Sequence, residues 1–180
     1  MIKSFFLATA MLVGLSLPAS AALSVGAAAP DFTAPATLGD ATFNFALKDA
    51  LKKGPVVVYF YPEAFTGGCT AEAHAFAEAM PDFTKAGATV IGVSQDGMDK
   101  LKKFATSECR KKFAVASDAD GSITKAYDVV MGMSLLHMSN RTSYAIAPDG
   151  HVLAVWSALD PDEHVSRMLA AVKAYTVPAK

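Results

Sequence analysis

The sequence has little of what marks several large classes of protein. It contains two cysteines in 180 residues, which excludes a scaffold held together by several disulfide bridges. Its 16 basic side chains are balanced by 17 acidic ones, so it offers neither a basic surface for nucleic acid nor an acidic tail. Beyond the N terminus, no hydrophobic run is long enough to cross a membrane. With 52% apolar residues the chain is too hydrophobic to be disordered, and its length suits one domain with a buried core.

The N-terminal segment Met1–Ala21 has the three-part pattern of a secretory leader. Lys3 is its single charge, an apolar run spans residues 5–17, and small residues close it at positions 19–21. The run has about 13 residues, whereas a membrane span needs roughly 20, so an uncleaved anchor is the less favoured alternative. We expect cleavage after Ala21, export (to the periplasm if the source is a Gram-negative bacterium), no stable membrane association, and one domain over residues 22–180. In an oxidising compartment the two cysteines could also form a structural bridge.

The rest of the chain alternates short apolar runs with helical patterns. Strands are predicted at Thr42–Phe45, Val56–Tyr61, Thr89–Ser94, Ala114–Ser117, Thr142–Ile146 and His151–Trp156. Helices are predicted at Leu47–Leu51, from near Cys69, and at Met98–Lys111, Gly121–Tyr127 and Pro161–Tyr175. Residues 22–41 are expected to be an irregular lead-in, and Pro81 is expected to kink or break its helix. The order predicts an α/β fold of three layers, a mixed central sheet flanked by helices, which resembles the thioredoxin-like arrangement.

Cys69 stands where a buried strand is predicted to turn into a helix, a place where open α/β sheets collect chemistry. Unpaired N–H groups and the helix dipole favour a thiolate there. An ordinary thiol has a pKa of ~8.5 and is only about 3% ionised at pH 7. Lowering a thiol pKa to near 6 requires roughly 3.4 kcal/mol, of which a helix terminus supplies about 0.3–2 kcal/mol. A reactive thiol at this position therefore needs a nearby cation as well.

Pro62, Thr66 and Cys69 form the pattern Pro-x-x-x-Thr-x-x-Cys. Together with VVVYFYP, TGGCTAEA, KAGATVIGVS, ASDADGSITKAYDV and NRTSYAIAPDGHV, this pattern resembles the peroxiredoxins, the alkyl hydroperoxide reductase/thiol-specific antioxidant family. The bacterioferritin comigratory protein branch is the most similar, and the resemblance covers nearly all of residues 22–180. It implies a thiol-dependent peroxidase for hydrogen peroxide or organic hydroperoxides, without a metal or organic cofactor. It also implies a thioredoxin-like or small-thiol reductant, and a monomer or homodimer.

The resemblance assigns roles to the residues of this pattern and to Arg141. Cys69 would be the peroxidatic cysteine, which attacks the peroxide and becomes a sulfenic acid. Thr66 would hydrogen-bond the peroxide and the thiolate, and Pro62 would shield the sulfur from bulk water. Arg141 matches the family's arginine at the start of a late strand, and its permanent charge would be the missing cation. Taken singly, these residues would be a core cysteine, a helix N-cap, a strand terminator and a surface charge.

Cys109 is a candidate resolving cysteine. Members of the branch often carry a second cysteine five residues after the first, but His74 stands at that position, and Gly67 replaces a usual proline. Other members place the resolving cysteine in the following helix, the region where Cys109 lies 40 residues after Cys69. Three alternatives stay open for Cys109: a resolving cysteine, an inert core thiol and one half of a static bridge. Bridging would require local unwinding, because the two Cα atoms must come within about 7 Å.

Two further functions are weighed against the peroxidase. A thiol–disulfide oxidoreductase normally needs a C-x-x-C motif, and Glu72 occupies the second position of that motif. The other alternative is an exported thioredoxin-like redox or copper-binding module without peroxidase activity, since methionine and histidine suit Cu(I). Its candidate ligands, which could equally be packing residues of a loop, are Met131, Met133, His137 and Met138. The remaining histidines lack the spacing of ligands and are expected at surface or packing positions; they are His74, His151 and His164.

Overall fold

The computed structural model describes residues 22–132 and 138–175, and over these residues the chain forms seven strands and five helices. The strands are β1 (Thr33–Leu38), β2 (Ala41–Ala46), β3 (Val56–Phe60), β4 (Thr89–Ser94), β5 (Ala114–Ser117), β6 (Thr142–Ile146) and β7 (Val152–Ser157). The helices are α1 (Leu47–Leu51), α2 (Gly67–Lys85), α3 (Met98–Ser107), α4 (Ser122–Ala126) and α5 (His164–Ala174).

The strands form one mixed sheet in the order β2-β1-β5-β4-β3-β6-β7. Parallel pairing joins β3 to β4 and β4 to β5, because the helices α2 and α3 carry the chain back between these strands. The other neighbours are antiparallel, including the β6–β7 hairpin predicted around Pro148-Asp149-Gly150. The predicted thioredoxin-like α/β fold with a mixed central sheet is confirmed.

The central strand β3 is buried along its whole length, since it has a hydrophobic core on each face. Val57 and Tyr59 point into a core shared with α2, α3 and α5. The alternate residues Val56, Val58 and Phe60 point into a second core that includes α1 and α4. This double burial explains the uninterrupted apolar and aromatic run of the strand and produces the three layers.

Strand β1 lies inside the segment 22–41 that was expected to be irregular, so that expectation is wrong. The strand reads Thr-Ala-Pro-Ala-Thr-Leu and carries little local strand signal. It forms because it is hydrogen-bonded between β2 on one side and β5 on the other, and because Ala34 and Ala36 face the core. Pairing over long range, rather than propensity, decides this strand.

Two helices also differ from their predicted extent. Helix α2 continues through Pro81 to Lys85, because the buried side chains Phe76 and Phe83 hold the helix against one core on both sides of the proline. Helix α3 ends at Ser107, earlier than expected, and Arg110 and Lys111 then adopt positive φ angles of 52° and 56°. Cys109 therefore lies in a turn that follows α3.

Two predicted features lie wholly or partly outside the described residues. The expected leader Met1–Ala21 is one, and in the candidate copper segment Met133 and His137 are not described. Within residues 22–132 and 138–175, no helix combines the length and hydrophobicity needed to cross a membrane. In the same ranges, no group of three or more His, Cys, Asp or Glu side chains is arranged to hold a metal ion.

Candidate active site

Cys69 is the third residue of α2, at the end of the sheet where the chain leaves β3 and enters the helix. The connecting loop turns sharply at Phe65, which has a φ of 69°, and Thr66 is the N-cap residue of the helix. The thiol is 1% exposed and belongs to the core on the α2 side of the sheet. The free N–H groups of the first helical turn therefore surround a thiol that is shielded from bulk solvent.

Arg141 lies next to this thiol although 72 residues separate the two in sequence. Its Nη2 donates to Cys69 Sγ at 3.4 Å, its Nη1 donates to Glu72 Oε2, and its Nε donates to the carbonyl of Leu159 at 2.8 Å. The guanidinium is 5% exposed, so its charge acts on the sulfur with little screening by water. The structure thus brings a fixed cation to the cysteine.

Gly68 leaves the space that this guanidinium occupies. A Cβ atom at position 68 would lie 2.9 Å from Arg141 Nη2, which is closer than real Cβ contacts allow. A side chain there would have to displace the arginine from the sulfur. At Gly67, by contrast, a Cβ atom meets nothing within 4 Å, so a side chain at this position would fit without a clash.

Thr66 and Pro62 occupy the loop before α2. The Thr66 hydroxyl is exposed and donates to the carbonyl of Glu63 at 3.0 Å, and it does not cap the helix through its side chain. Pro62 is half-buried and directly follows the buried Tyr61. The structure places both residues beside the start of α2, while their predicted contacts with a peroxide stay predictions.

Polar side chains that the sequence analysis did not single out anchor this loop to α3. Asp96 accepts from the backbone N–H of Ala64 at 2.7 Å and from the Ser94 hydroxyl at 2.9 Å. Lys100 then bridges Asp96 and Glu63, with both N···O distances at 2.7 Å. No motif signals these contacts, because they join the ends of two different strands. They fix the loop that leads to Cys69.

A second group of buried polar residues lies around Glu72, which is bonded to Arg141. Glu72 is fully buried, and this burial raises the pKa of its carboxyl to about 7 against the opposing effect of Arg141. His164 is also fully buried; its Nδ1 is 2.8 Å from the Ser143 hydroxyl and its Nε2 is 3.0 Å from the carbonyl of Ala158. Burial lowers the pKa of His164.

A local sequence pattern indicates the position of Glu72 but not the surroundings of His164. Glu72 follows Cys69 by three positions, a spacing that places both on one face of α2, so the helical pattern could have identified it. His164 was expected at a surface or packing position, and it occupies a packing position: it is buried at the start of α5 and hydrogen-bonded. No local pattern signals this, because its partners come from β6 and from the end of β7.

Cys109 is fully buried in the turn after α3 and belongs to the same core as Cys69. Both cysteines are free thiols. Burial, with a smaller contribution from the charge of Glu108, raises the pKa of the Cys109 thiol well above its usual range. A thiol in this state is a poor nucleophile, since attack requires the thiolate.

The turn that carries Cys109 is fastened to α2 by two polar contacts, which we call the turn clamp. His74 Nε2 lies 2.8 Å from Glu108 Oε2, and Arg110 Nη1 lies 3.3 Å from Glu78 Oε1. His74 therefore contacts the residue next to Cys109. The left-handed backbone of Arg110, which is uncommon for a residue with a side chain, lies in this clamped turn.

Comparison with known proteins shows the family of the chain. A model of the AhpC/TSA family matches residues 25–155. Peroxiredoxin Bcp of Xanthomonas campestris pv. campestris is 34% identical over 128 residues, which cover 67% of this chain and 77% of that protein. The crystal structure of peroxidoxin BcpB from Mycobacterium tuberculosis matches with a TM-score of 0.76 and 33% identity, covering 85% of this chain and 98% of the other. Peroxiredoxin Q of Xanthomonas campestris matches with a TM-score of 0.72 and 30% identity, covering 87% and 99% of the two chains. The chain therefore belongs to the AhpC/TSA family, and within it to the peroxiredoxins of the Bcp and Q type.

Proposed function

We propose that Cys69 is the peroxidatic cysteine of this thiol-dependent peroxidase and that Arg141 holds it as a thiolate. The observation that carries the proposal is the 3.4 Å contact between Arg141 Nη2 and Cys69 Sγ at the N terminus of α2. In the reaction, the thiolate attacks the terminal oxygen of a hydroperoxide and the O–O bond breaks. Cys69 becomes a sulfenic acid, and the leaving oxygen takes a proton and departs as water or an alcohol.

Thr66 and Pro62 complete the proposed site. The Thr66 hydroxyl is exposed, is bonded only to a loop carbonyl among the described residues, and lies at the N-cap of the helix that carries Cys69. Rotation of this hydroxyl would let it bind the peroxide beside the sulfur. Pro62, half-buried at the end of β3, would limit the access of water. The direct test of the whole proposal is the consumption of hydroperoxide with a supplied dithiol, compared between the unaltered protein and Cys69→Ser.

Cys109 is proposed as the resolving cysteine. Its thiol would condense with the Cys69 sulfenic acid, forming the disulfide and releasing water, and an external dithiol would then reduce the bridge. Two observations support this role: both cysteines belong to one core, and Cys109 lies in a turn outside regular helix. The turn has to open before the reaction, because the buried thiol is held in its protonated form.

Replacing Cys109 with serine is expected to leave the first turnover intact and to abolish the intramolecular disulfide. The reason is that Cys69 performs the peroxide step, while Cys109 enters only afterwards. Stopped-flow measurement of one equivalent of peroxide, followed by mass spectrometry of the product, distinguishes sulfenic acid from disulfide. The unaltered protein should instead give the Cys69–Cys109 disulfide, and an unaltered protein that stops at the sulfenic acid after one equivalent of peroxide would refute the assignment.

A variant of the turn clamp tests whether opening of the turn limits the rate of disulfide formation. His74→Ala removes the contact to Glu108, so opening of the turn is expected to become easier and disulfide formation faster by up to about fivefold. His151→Ala is the matched control, since His151 is an exposed histidine paired with Asp149 in the β6–β7 hairpin. Equal rates in the two variants would show that opening of the clamp does not limit resolution.

Export is proposed from the leader-like pattern of residues 1–21, and it bears on the reductant. An oxidising compartment holds few free small thiols, so a thioredoxin-like dithiol protein is the reductant that we favour there. The protein recovered from the exported fraction of the producing cells should begin at Ala22, as read by N-terminal sequencing. Recovery of the full chain with Met1 from the cell interior would contradict the proposal.

A further inference from the structure

Among the buried polar residues around Arg141, Glu72 has one carboxylate oxygen without a hydrogen-bond partner in the described part of the chain. Glu72 Oε2 accepts from Arg141 Nη1, but among the described residues Glu72 Oε1 has no donor, although it is inaccessible to solvent. His164 Nδ1 lies 3.5 Å from this oxygen. A buried acceptor without a donor lowers the stability of the fold, so such an atom in a native protein usually has a functional reason.

Glu72 and His164 lack a proton between the carboxylate oxygen Oε1 and the ring nitrogen Nδ1. His164 Nε2 is placed to donate its hydrogen to the carbonyl of Ala158, which makes Nδ1 the unprotonated nitrogen of a neutral imidazole. Nδ1 then accepts from the Ser143 hydroxyl at 2.8 Å and also lies 3.5 Å from Glu72 Oε1, with no proton between the nitrogen and the carboxylate. One additional proton, carried by Oε1 or by Nδ1, would give the unpartnered oxygen a hydrogen-bond partner, with the Ser143 hydroxyl free to rotate.

The additional proton is needed when Cys69 ionises, because the net charge of the buried group then changes. With Cys69 as a thiol, Arg141 and an ionised Glu72 neutralise each other. When Cys69 becomes a thiolate, the same buried group carries a net charge of −1, which is unfavourable away from water. One proton taken up by Glu72 or His164 restores neutrality. The burial that raises the pKa of Glu72 to about 7 makes this uptake accessible near neutral pH.

We propose that Glu72 and His164 form a proton-holding pair that takes up one proton as Cys69 ionises and releases it when peroxide consumes the thiolate. His164 is a positioning residue in this scheme, because it reaches the sulfur only through Glu72 and Arg141. The inference rests on the proposed role of Cys69. With the pair in place, a buried Cys69 thiolate forms without leaving an uncompensated charge.

The proton and the electrons balance in each step. The Cys69 thiol gives its proton to the pair; the thiolate then gives an electron pair to the terminal peroxide oxygen, and an alkoxide or hydroxide leaves. The remaining site then carries Arg141 and a protonated pair, a net charge of +1, so the pair releases its proton. The leaving oxygen takes one proton from solvent, and the sum is thiol plus hydroperoxide to sulfenic acid plus alcohol or water.

Charged and titratable groups from every side face the pair. Cys69 shares helix α2 with Glu72, and Arg141 lies at the start of β6. Asp160, from the connection between β7 and α5, favours the protonated form of His164, whereas Arg141 opposes it. Tyr59 of β3 stays neutral, since burial raises its pKa well above the usual range. Among the groups named here, all in the described part of the chain, the Cys69 thiol and the pair are therefore the ones proposed to exchange a proton.

The test is the number of protons released when iodoacetamide alkylates Cys69, measured in weak buffer in the Cys109→Ser protein. The pH is chosen near 7, and thiolate absorbance in the ultraviolet establishes that Cys69 is ionised before the reagent is added. Alkylation of an isolated thiolate releases no proton. Here it is expected to release close to one, because removal of the sulfur's charge makes the pair give up its proton.

Variants of Glu72 and His164 then distinguish proton uptake by the pair from a purely structural role of the two residues. In Glu72→Gln the released proton is expected to fall towards zero, because the amide does not titrate and Arg141 alone balances the thiolate. In His164→Gln the release is expected to fall only in part, because the amide can donate to Glu72 Oε1 while the carboxyl of Glu72 can still take up a proton. His151→Gln, at an exposed histidine, is the control and should release as many protons as the parent.

Two results would overturn the proposal. One is the absence of proton release in the Cys109→Ser parent while Cys69 is a thiolate, a result that needs neither of the pair variants. The other is full release in both pair variants. The outcome is independent of peroxide turnover: a protein that releases the proton but consumes no peroxide would disprove the proposed role of Cys69 and leave the pair standing.

Discussion

Cys69→Ser is expected to reduce hydroperoxide consumption to the background rate of the dithiol alone, a loss of at least about 1,000-fold, or roughly 4 kcal/mol of barrier. A serine hydroxyl is not ionised near neutral pH. Its oxygen also cannot pass through a sulfenic acid, so the redox step has no carrier. The substitution is small and the site is almost closed to solvent, so the fold and the position of Arg141 should be kept.

Peroxide loss followed with a supplied dithiol is the measurement, with Cys109→Ser as the matched control. Both variants replace a buried sulfur by oxygen in the same core, so they differ in chemistry more than in packing. The control should consume its first equivalent of peroxide at the rate of the unaltered protein. Equal steady rates for Cys69→Ser and the unaltered protein would falsify the central assignment.

Arg141→Gln is expected to lower the second-order rate constant with peroxide by about 100-fold or more. An adjacent opposite charge favours the ionised form of a group by ~1–3 pKa units, and loss of a fixed donor in an active site costs about 10²–10³ in rate. Arg141→Lys should recover only part of this loss. A single ammonium group cannot direct donors at Cys69, Glu72 and the carbonyl of Leu159 simultaneously.

The interpretation of this variant depends on Glu72, which would remain buried without its partner. Removal of one member of a buried ion pair typically destabilises a protein by about 3–5 kcal/mol. The double variant Arg141→Gln, Glu72→Gln removes both charges and should regain stability in denaturant unfolding while peroxide reduction stays slow. If its rate returned together with its stability, Arg141 would have a structural role rather than an electrostatic one.

The local features of this protein follow from short stretches of sequence. The run Val56–Phe60 predicts a strand buried on both faces, and the adjoining glycines and apolar stripe predict the start of a helix at Cys69. Physical reasoning from the isolated residues also established that a reactive thiol there needs a cation. Only the family pattern, however, pointed to Arg141 as that cation, since no periodicity connects residues 72 positions apart.

The tertiary structure alone decided the features that depend on distant partners. It made β1 a strand by pairing it on both sides, and it ended α3 early and buried Cys109 in a clamped turn. It also placed His164 beside Glu72, where their environment changes the pKa of both groups. Desolvation is the common reason: a pattern shows which residue types are present, but their charge states depend on what surrounds them after folding. The sequence by itself determined the fold class and which sulfur sits at a helix start, while the fold determined the proton and charge balance around that sulfur.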